Sequence, residues 1–336
     1  MTGPYESLLI KLWETLAEKG VGGLLRPWQI RRDGNAVTDV RCHEIRELAE
    51  AEREAEEIRA GRRMLCDGEK TISVTAPLPL ASLQSPQPES ERSVQQVVTA
   101  SIVSDTLRKE INVAKAIINA EEELKNDKTP PPDKNIDPDW LYRWRDYAGN
   151  VSSDELQAMW GKILAGELKT PGSNSYRLLE FIRNLTKEDA EKIEKVLSLA
   201  FKDFIPQLPD DVFMRESVSL SLLLEVQELG IISGIGSWGF AMNFDSQSTL
   251  HYEINLFCNG KGLHVEHPES SKKLKLATIQ LTGLGKQVKA LGKFTPSENY
   301  LRAVGLHIKG FGFDVSLFDY TPVENDGVQM ANVQKI

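Results

Sequence analysis

Apolar positions fall into three regimes along this chain, and each predicts a different architecture. Over residues 6–18, Leu9, Leu12, Trp13 and Leu16 recur at the spacing of one helical face. Gly20, Gly22 and Gly23 break that helix before the apolar, basic-flanked turn Leu24-Leu25-Arg26-Pro27-Trp28. From about residue 39 to 63 the stripe thins to Ile45, Leu48, Ala55 and Ile58 among Glu, Arg and Ala, the pattern of a solvated helix or a coiled-coil strand. Pro77, Pro79, Pro86 and Pro88 make 71–92 read as a linker. A second long helix follows over 93–125, with Val103, Leu107, Ile111, Ala114 and Ile118 in step, and Pro130-Pro131-Pro132 end it.

The second regime is a run of short, strongly patterned helices. Ser152-Ser153-Asp154-Glu155 predicts a capping box with Ser152 as the cap. Leu156, Met159, Trp160, Ile163 and Leu164 then form a stripe, and Thr170-Pro171-Gly172 turns the chain. Helices over 175–184 and from Thr186 to about Ala200 complete what the short connections predict to be an antiparallel helical bundle.

The last third alternates. A helix near 212–229 ends at Gly230, strands follow over 238–244, 250–258 and 261–267, and Asn259-Gly260 predicts a tight hairpin between the last two. Lys273–Leu281 reads as a strand, Thr282–Leu291 and Pro296–Ile308 as helices, and Phe311–Tyr320 as a closing strand. The expected fold is mainly α, with long N-terminal helices, a central bundle and a C-terminal winged-helix-like α+β domain. The divisions are 1–70, the linker 71–92, the long helix 93–128, the central domain 133–205, the α+β domain 206–322 and a tail 323–336.

Charge narrows the function classes. A net charge of −9 argues against chain-wide attraction to nucleic acid, so only a local basic face could bind it. Three scattered cysteines, Cys42, Cys66 and Cys258, and an N-terminus without a basic leader predict a cytoplasmic protein.

One combination of residues is distinctive. Trp140-Leu141-Tyr142-Arg143-Trp144 is followed by Leu156-Gln157, Trp160, Ile163-Leu164-Ala165-Gly166-Glu167 and then Pro171-Gly172-Ser173, with Leu185, Asp189 and Ala190 downstream. Earlier lie Gly22-Gly23 and Pro27-Trp28-Gln29-Ile30-Arg31-Arg32. Together these resemble an uncharacterised bacterial domain-of-unknown-function family, similar to the abortive-infection alpha proteins. The resemblance covers residues 20–60 and 137–205; Asp33-Gly34-Asn35 and the Pro-rich linker depart from the family's pattern. It implies a soluble bacterial protein of prophage or defence loci, without an assigned catalytic residue or cofactor.

Residue types that could carry chemistry are few. Asp139, Glu167 and Lys169 satisfy the letters of a PD…ExK nuclease, but that chemistry needs adjacent strands and these positions are helical. Cys258, His264, Glu266 and His267 crowd the predicted hairpin, yet the two histidines have opposite strand parity, so no metal site is expected. Cys42-His43-Glu44 cannot converge from one helix, and Gly234 and Gly236 lack the rest of a phosphate loop. Trp140 and Trp160 are expected in the core, and Glu167 is expected to accept from amides of the Pro171–Ser175 turn, beside Gly172 and Ser173.

Two surfaces rise above this background. Leu9, Leu12, Trp13 and Leu16, with Trp28, Arg31 and Arg32, suit self-association or a peripheral membrane contact at the inner membrane. Lys272, Lys273, Lys275, Lys286, Lys289 and Lys293 lie in an acid-free stretch from Ser270 to Pro296, with the last three on one helix face, and suit phosphates of nucleic acid or a nucleotide. The leading expectation is a non-enzymatic defence or interaction protein that binds a protein partner or itself. The alternative is a nucleic-acid-binding regulator that uses the lysines; a cryptic hydrolase ranks below both.

Overall fold

A computed structural model describes residues 4–21, most of 50–58, 63–66, 70–73, 89–125, 127–236, 240–323 and 327–336. It divides into two compact units, Met1–Leu179 and Glu180–Ile336. No described helix is long and apolar enough to cross a membrane.

In the first unit, α1 (Pro4–Glu18) presents Leu8, Leu12 and Leu16 inward. It packs on α2 (Glu89–Leu124) and α4 (Asp154–Lys169), while α3 (Pro138–Ala148) packs on both of those helices. The α2–α4 crossing is close because small residues face each other. A Cβ on Gly161 of α4 would stand 2.6 Å from Asn119 Cβ and 2.9 Å from the Ala116 carbonyl oxygen of α2. Polar groups cross the same seam. The Asn112 side-chain amide donates to the Gly149 carbonyl at 2.9 Å, and Gln157 donates to the Asn112 oxygen at 3.2 Å. Each would cost stability if left unpaired in this apolar surrounding.

Two local expectations change here. The cap of α4 is Ser153, whose hydroxyl accepts from the Leu156 amide at 3.3 Å, so the helix starts one residue later than a Ser152 cap implies. Residues 71–73, read as linker, belong to a small hairpin of β1 (Arg63–Cys66) and β2 (Lys70–Ser73), and α2 begins at Glu89 within the same predicted linker. The chain from α4 enters α5 (Tyr176–Asn184), within which the unit boundary falls.

The second unit opens with α6 (Lys187–Leu197), capped by Thr186, and β3 (Phe204–Pro206). The helix expected over 212–229 is two helices, α7 (Asp210–Arg215) and α8 (Leu220–Glu228). Ser217, at φ 58°, takes a left-handed turn that a continuous helix cannot contain, and Ser219 caps the restart. Gly230 closes α8 with φ 77°, as its position predicts.

Strands β4 (Ile232–Ser233), β5 (Phe240–Phe244) and β8 (Leu274–Leu281) follow, and one sheet runs β3–β8–β4 with β5 also paired to β8. The succession α6, β3, α7, α8, β4–β5, β8 is winged-helix-like. Between β5 and β8 the chain inserts the hairpin β6 (Tyr252–Cys258) and β7 (Lys261–His267). Asn259 and Gly260, at φ 48° and 88°, form the turn that this dipeptide favours. The hairpin joins β9 (Asp314–Val323) and β10 (Gly327–Lys335) in a second antiparallel sheet ordered β10–β9–β7–β6. The segment read as a tail is thus mostly a strand. Tyr252, Ile254, Leu256, Leu263, Val265, Val315 and Leu317 share the buried face of this sheet. Helix α10 (Glu298–Lys309) packs on its β7 and β9 strands.

Candidate functional site

The distinctive motif converges at the C-terminal end of α4. Glu167 is 2% exposed, and its two carboxylate oxygens accept the amides of Gly172 at 2.5 Å and Asn174 at 2.9 Å. Gly172 holds φ 94°, which a side chain would resist, so the turn that brings both amides onto one carboxylate depends on glycine there. Pro171 sets up the turn, and the Ser173 hydroxyl reaches the Gly166 carbonyl at 3.3 Å. The Trp140 indole N–H donates to the Asn174 carbonyl at 2.7 Å, which ties α3 to the same turn. Asn174 itself, through its side-chain amide, donates to the Ile163 carbonyl at 3.1 Å.

Trp160 lies away from the turn. It is 1% exposed, its carbonyl accepts the Trp144 indole N–H at 2.9 Å, and Tyr147 meets its ring edge-on at 6.1 Å. Trp140, Trp144 and Trp160 therefore pack and bond within the unit, as their helical spacing suggests. Asn174 and Asn112 are the participants that sequence reasoning passed over. The available signal for Asn112 was a polar residue directly beside Ile111 and Val113 in an apolar stretch of α2.

The nuclease letters do not meet. Lys169 pairs with Asp127 at 2.6 Å, Glu167 holds the turn, and the Asp139 amide donates to the Asp137 carboxylate at the start of α3. Burial raises the Asp127 carboxyl, but the hydrogen bonds and charge of Lys169, with Thr129, outweigh it and hold the pKa at about 2. A depressed carboxyl stabilises the fold above its unfolded pKa and loses that contribution as pH falls toward 2. Asp127→Asn is expected to lower the melting temperature at neutral pH and to match wild type near pH 2, as read by circular dichroism.

Glu167 also gives a direct test. In Glu167→Ala the Asn174 amide, which is buried, loses its acceptor, and the expected destabilisation is about 1–3 kcal/mol by urea unfolding.

Of the six lysines, Lys273, Lys275, Lys286 and Lys293 are exposed, while Lys272 and Lys289 are half-buried. Lys289 of α9 (Gly283–Leu291) turns inward, and its ammonium donates to the carbonyls of Ala200 and Phe201 at 2.8 Å and of Lys202 at 3.3 Å. Burial lowers its pKa. It serves as a cationic clamp on the segment that follows α6, where carbonyls lack helical donors. Lys286 pairs with Asp203 at 3.2 Å and Lys273 with Asp245 at 3.3 Å. Lys272 donates to the Gly312 carbonyl at 3.2 Å and lies 4.6 Å from the centre of the Phe313 ring. Lys275 and Lys293 are exposed. The stretch lacks acids in sequence, but the fold supplies them from Asp203 and Asp245.

Of the N-terminal surface residues, Leu12 and Leu16 are buried within the first unit, while Leu9 and Trp13 are half-buried. Lys11 fastens the helix by donating to the carbonyls of Pro132 and, at 3.1 Å, Lys134. Among the described side chains of α1, Ile10 is the large apolar one left exposed; Trp28, Arg31 and Arg32 lie outside the described residues.

On the β6–β7 hairpin, Cys258 faces the core and burial pushes its thiol up to about 12. His264 faces the other way, with Nδ1 2.8 Å from the Asn255 side-chain oxygen and Nε2 3.2 Å from Glu266. Among the described residues no group of three or more His, Cys, Asp or Glu is arranged to hold a metal ion.

No curated protein and no solved structure matches the chain significantly. A family match does exist, and it begins within α2, spans the Glu167 turn and ends at β3. Residues 99–206 match the model of a family described as protein of unknown function (DUF2806).

Proposed function

We propose that this chain is a non-enzymatic bacterial defence or interaction protein, akin to the abortive-infection alpha proteins, acting by partner binding and self-association in the cytoplasm or against the inner membrane. The observation that carries the reading is the use of the motif's polar groups. Both oxygens of Glu167 accept backbone amides, and the indoles of Trp140 and Trp144 donate to carbonyls. The most distinctive residues of the chain thus build a rigid hub, which suits a scaffold that presents surfaces to partners. Affinity capture with the full chain, from phage-infected and uninfected cells, tests it. A specific protein recovered in stoichiometric amount is expected; recovery of none under either condition overturns it.

A second reading, a nucleic-acid-binding regulator, is favoured by the winged-helix-like succession in the second unit and by the exposed Lys275 and Lys293. Phosphate contacts release counterions, so filter retention that falls steeply with salt is its signature. Lysine-dependent retention at low ionic strength would move the function to this reading.

A further inference from the structure

The second unit carries a helix whose apolar stripe is wider than the part of it that is buried. Helix α8 buries Leu223 and Val226, which is the face that a helix of this length needs to hold it on a fold. It also directs Leu220 and Leu224 outward, at 63% and 39% exposure. These are four residues apart and therefore neighbours on the helix surface. Met214, at 70% exposure, lies in the last turn of α7, before the turn into α8. Single exposed leucines are ordinary, but two neighbours that extend a buried apolar stripe into solvent make a contiguous patch of the kind that something covers.

The charge along this stretch is predominantly acidic. From Asp210 to Glu228 the acids are Asp210, Asp211, Glu216, Glu225 and Glu228, against the single base Arg215. Arg215 pairs with Asp211 at 2.7 Å, and Glu225 takes Lys192 at 2.9 Å. Asp210 and Glu228 are exposed. In a winged-helix-like succession α8 stands where a reading helix would enter the major groove, yet it has no Lys or Arg to meet phosphate. Two copies of α8 packed in parallel would oppose Glu228 to Glu228, so that form of self-pairing is disfavoured by charge.

We infer that the outer face of α8, through Leu220 and Leu224, is a docking surface for a basic amphipathic helix of a partner protein. This rests on the interaction reading above and names its site and the partner's chemistry. Leucines of the incoming helix would cover Leu220 and Leu224 in the helix-against-surface mode, and its Lys or Arg side chains would meet Asp210 and Glu228. The acids would set orientation and association rate, and apolar cover would supply most of the affinity.

The test is selection of a displayed random-peptide library on the full chain, followed by titration of the enriched peptides against variants. Enriched sequences with apolar residues at i and i+4 and basic flanks are expected. Their binding should fall about tenfold or more in Leu220→Ser/Leu224→Ser, where two apolar contacts are lost. It should weaken with added salt and survive Leu306→Ser, which alters an equally exposed leucine elsewhere. Unchanged circular dichroism of the double variant separates loss of the site from loss of the fold; if it unfolds, Leu220→Gln alone carries the titration. Enriched peptides that lack positive charge, or that bind the α8 variant as tightly as wild type, overturn the inference. A wild-type dimer in sedimentation that dissociates in the α8 variant also overturns it, in favour of self-pairing. A partner captured from cells equally well by wild type and the α8 variant defeats this site but leaves the interaction reading standing.

Discussion

Trp160→Ala is expected to lower the unfolding free energy by about 3–5 kcal/mol, the range for removing a large aromatic side chain from a packed core. The side chain is 1% exposed and lies on the α4 stripe with Ile163 and Leu164, both fully buried. Its loss would leave a void against the Tyr147 edge, beside the carbonyl that receives the Trp144 indole. Close packing makes such a void costly, because the helices around it cannot collapse without breaking other contacts. Here α2 and α4 already touch at Gly161, so they have little room to slide. For a unit of this size the corresponding fall in melting temperature is roughly 6–20 °C. Trp160→Phe should recover part of the loss. Thermal unfolding of both variants decides, and an unaltered transition in the alanine variant would remove Trp160 from the core.

Lys289→Glu is expected to cost about 1.5–3 kcal/mol, the range for hydrogen bonds made by a charged group, because the half-buried ammonium loses its carbonyl partners. The substitution would put a carboxylate against the carbonyls of Ala200, Phe201 and Lys202, replacing three favourable contacts with repulsion. Lys293→Glu, at an exposed position on the same stretch, should stay within about 0.5 kcal/mol of wild type. Lys286→Glu loses a half-exposed pair with Asp203 and should cost no more than about 1 kcal/mol. Urea unfolding of the three variants distinguishes them. A silent Lys289→Glu would mean that the ammonium faces solvent. The consequence for nucleic-acid tests is direct: Lys275 and Lys293 are the positions at which charge reversal reads binding and not stability.

The extent to which sequence anticipated this molecule follows the range of the forces involved. Helix stripes, the Asn259-Gly260 turn, the Gly230 stop and the Glu167-to-turn contact all depend on residues within a few positions of one another. Their periodicity, left-handed preferences and hydrogen-bonding reach are properties of the local chain. The short-range failures were one-residue decisions. Ser153 in place of Ser152 as cap, and Ser217 in a left-handed turn, are choices between adjacent positions of similar propensity that nothing in a Ser-rich string marks.

Long-range partnership was not legible. The β6–β7 hairpin interrupts a winged-helix-like succession and pairs with β9, a strand reached only after two further helices, because alternating apolar residues specify a buried face but not the neighbouring strand. The lysine stretch is the sharper case. By itself the sequence determined that residues 270–296 hold no acid and that Lys286, Lys289 and Lys293 share a helix face. Only the tertiary structure decided that Asp203 comes to Lys286 and Asp245 to Lys273 from other segments, and that carbonyls after α6 take Lys289. The same holds for α8, whose inner and outer leucines are one apolar run in sequence. Which of them stays in water was settled by the elements packed behind it, since burial is a property of the assembled fold and not of the residue.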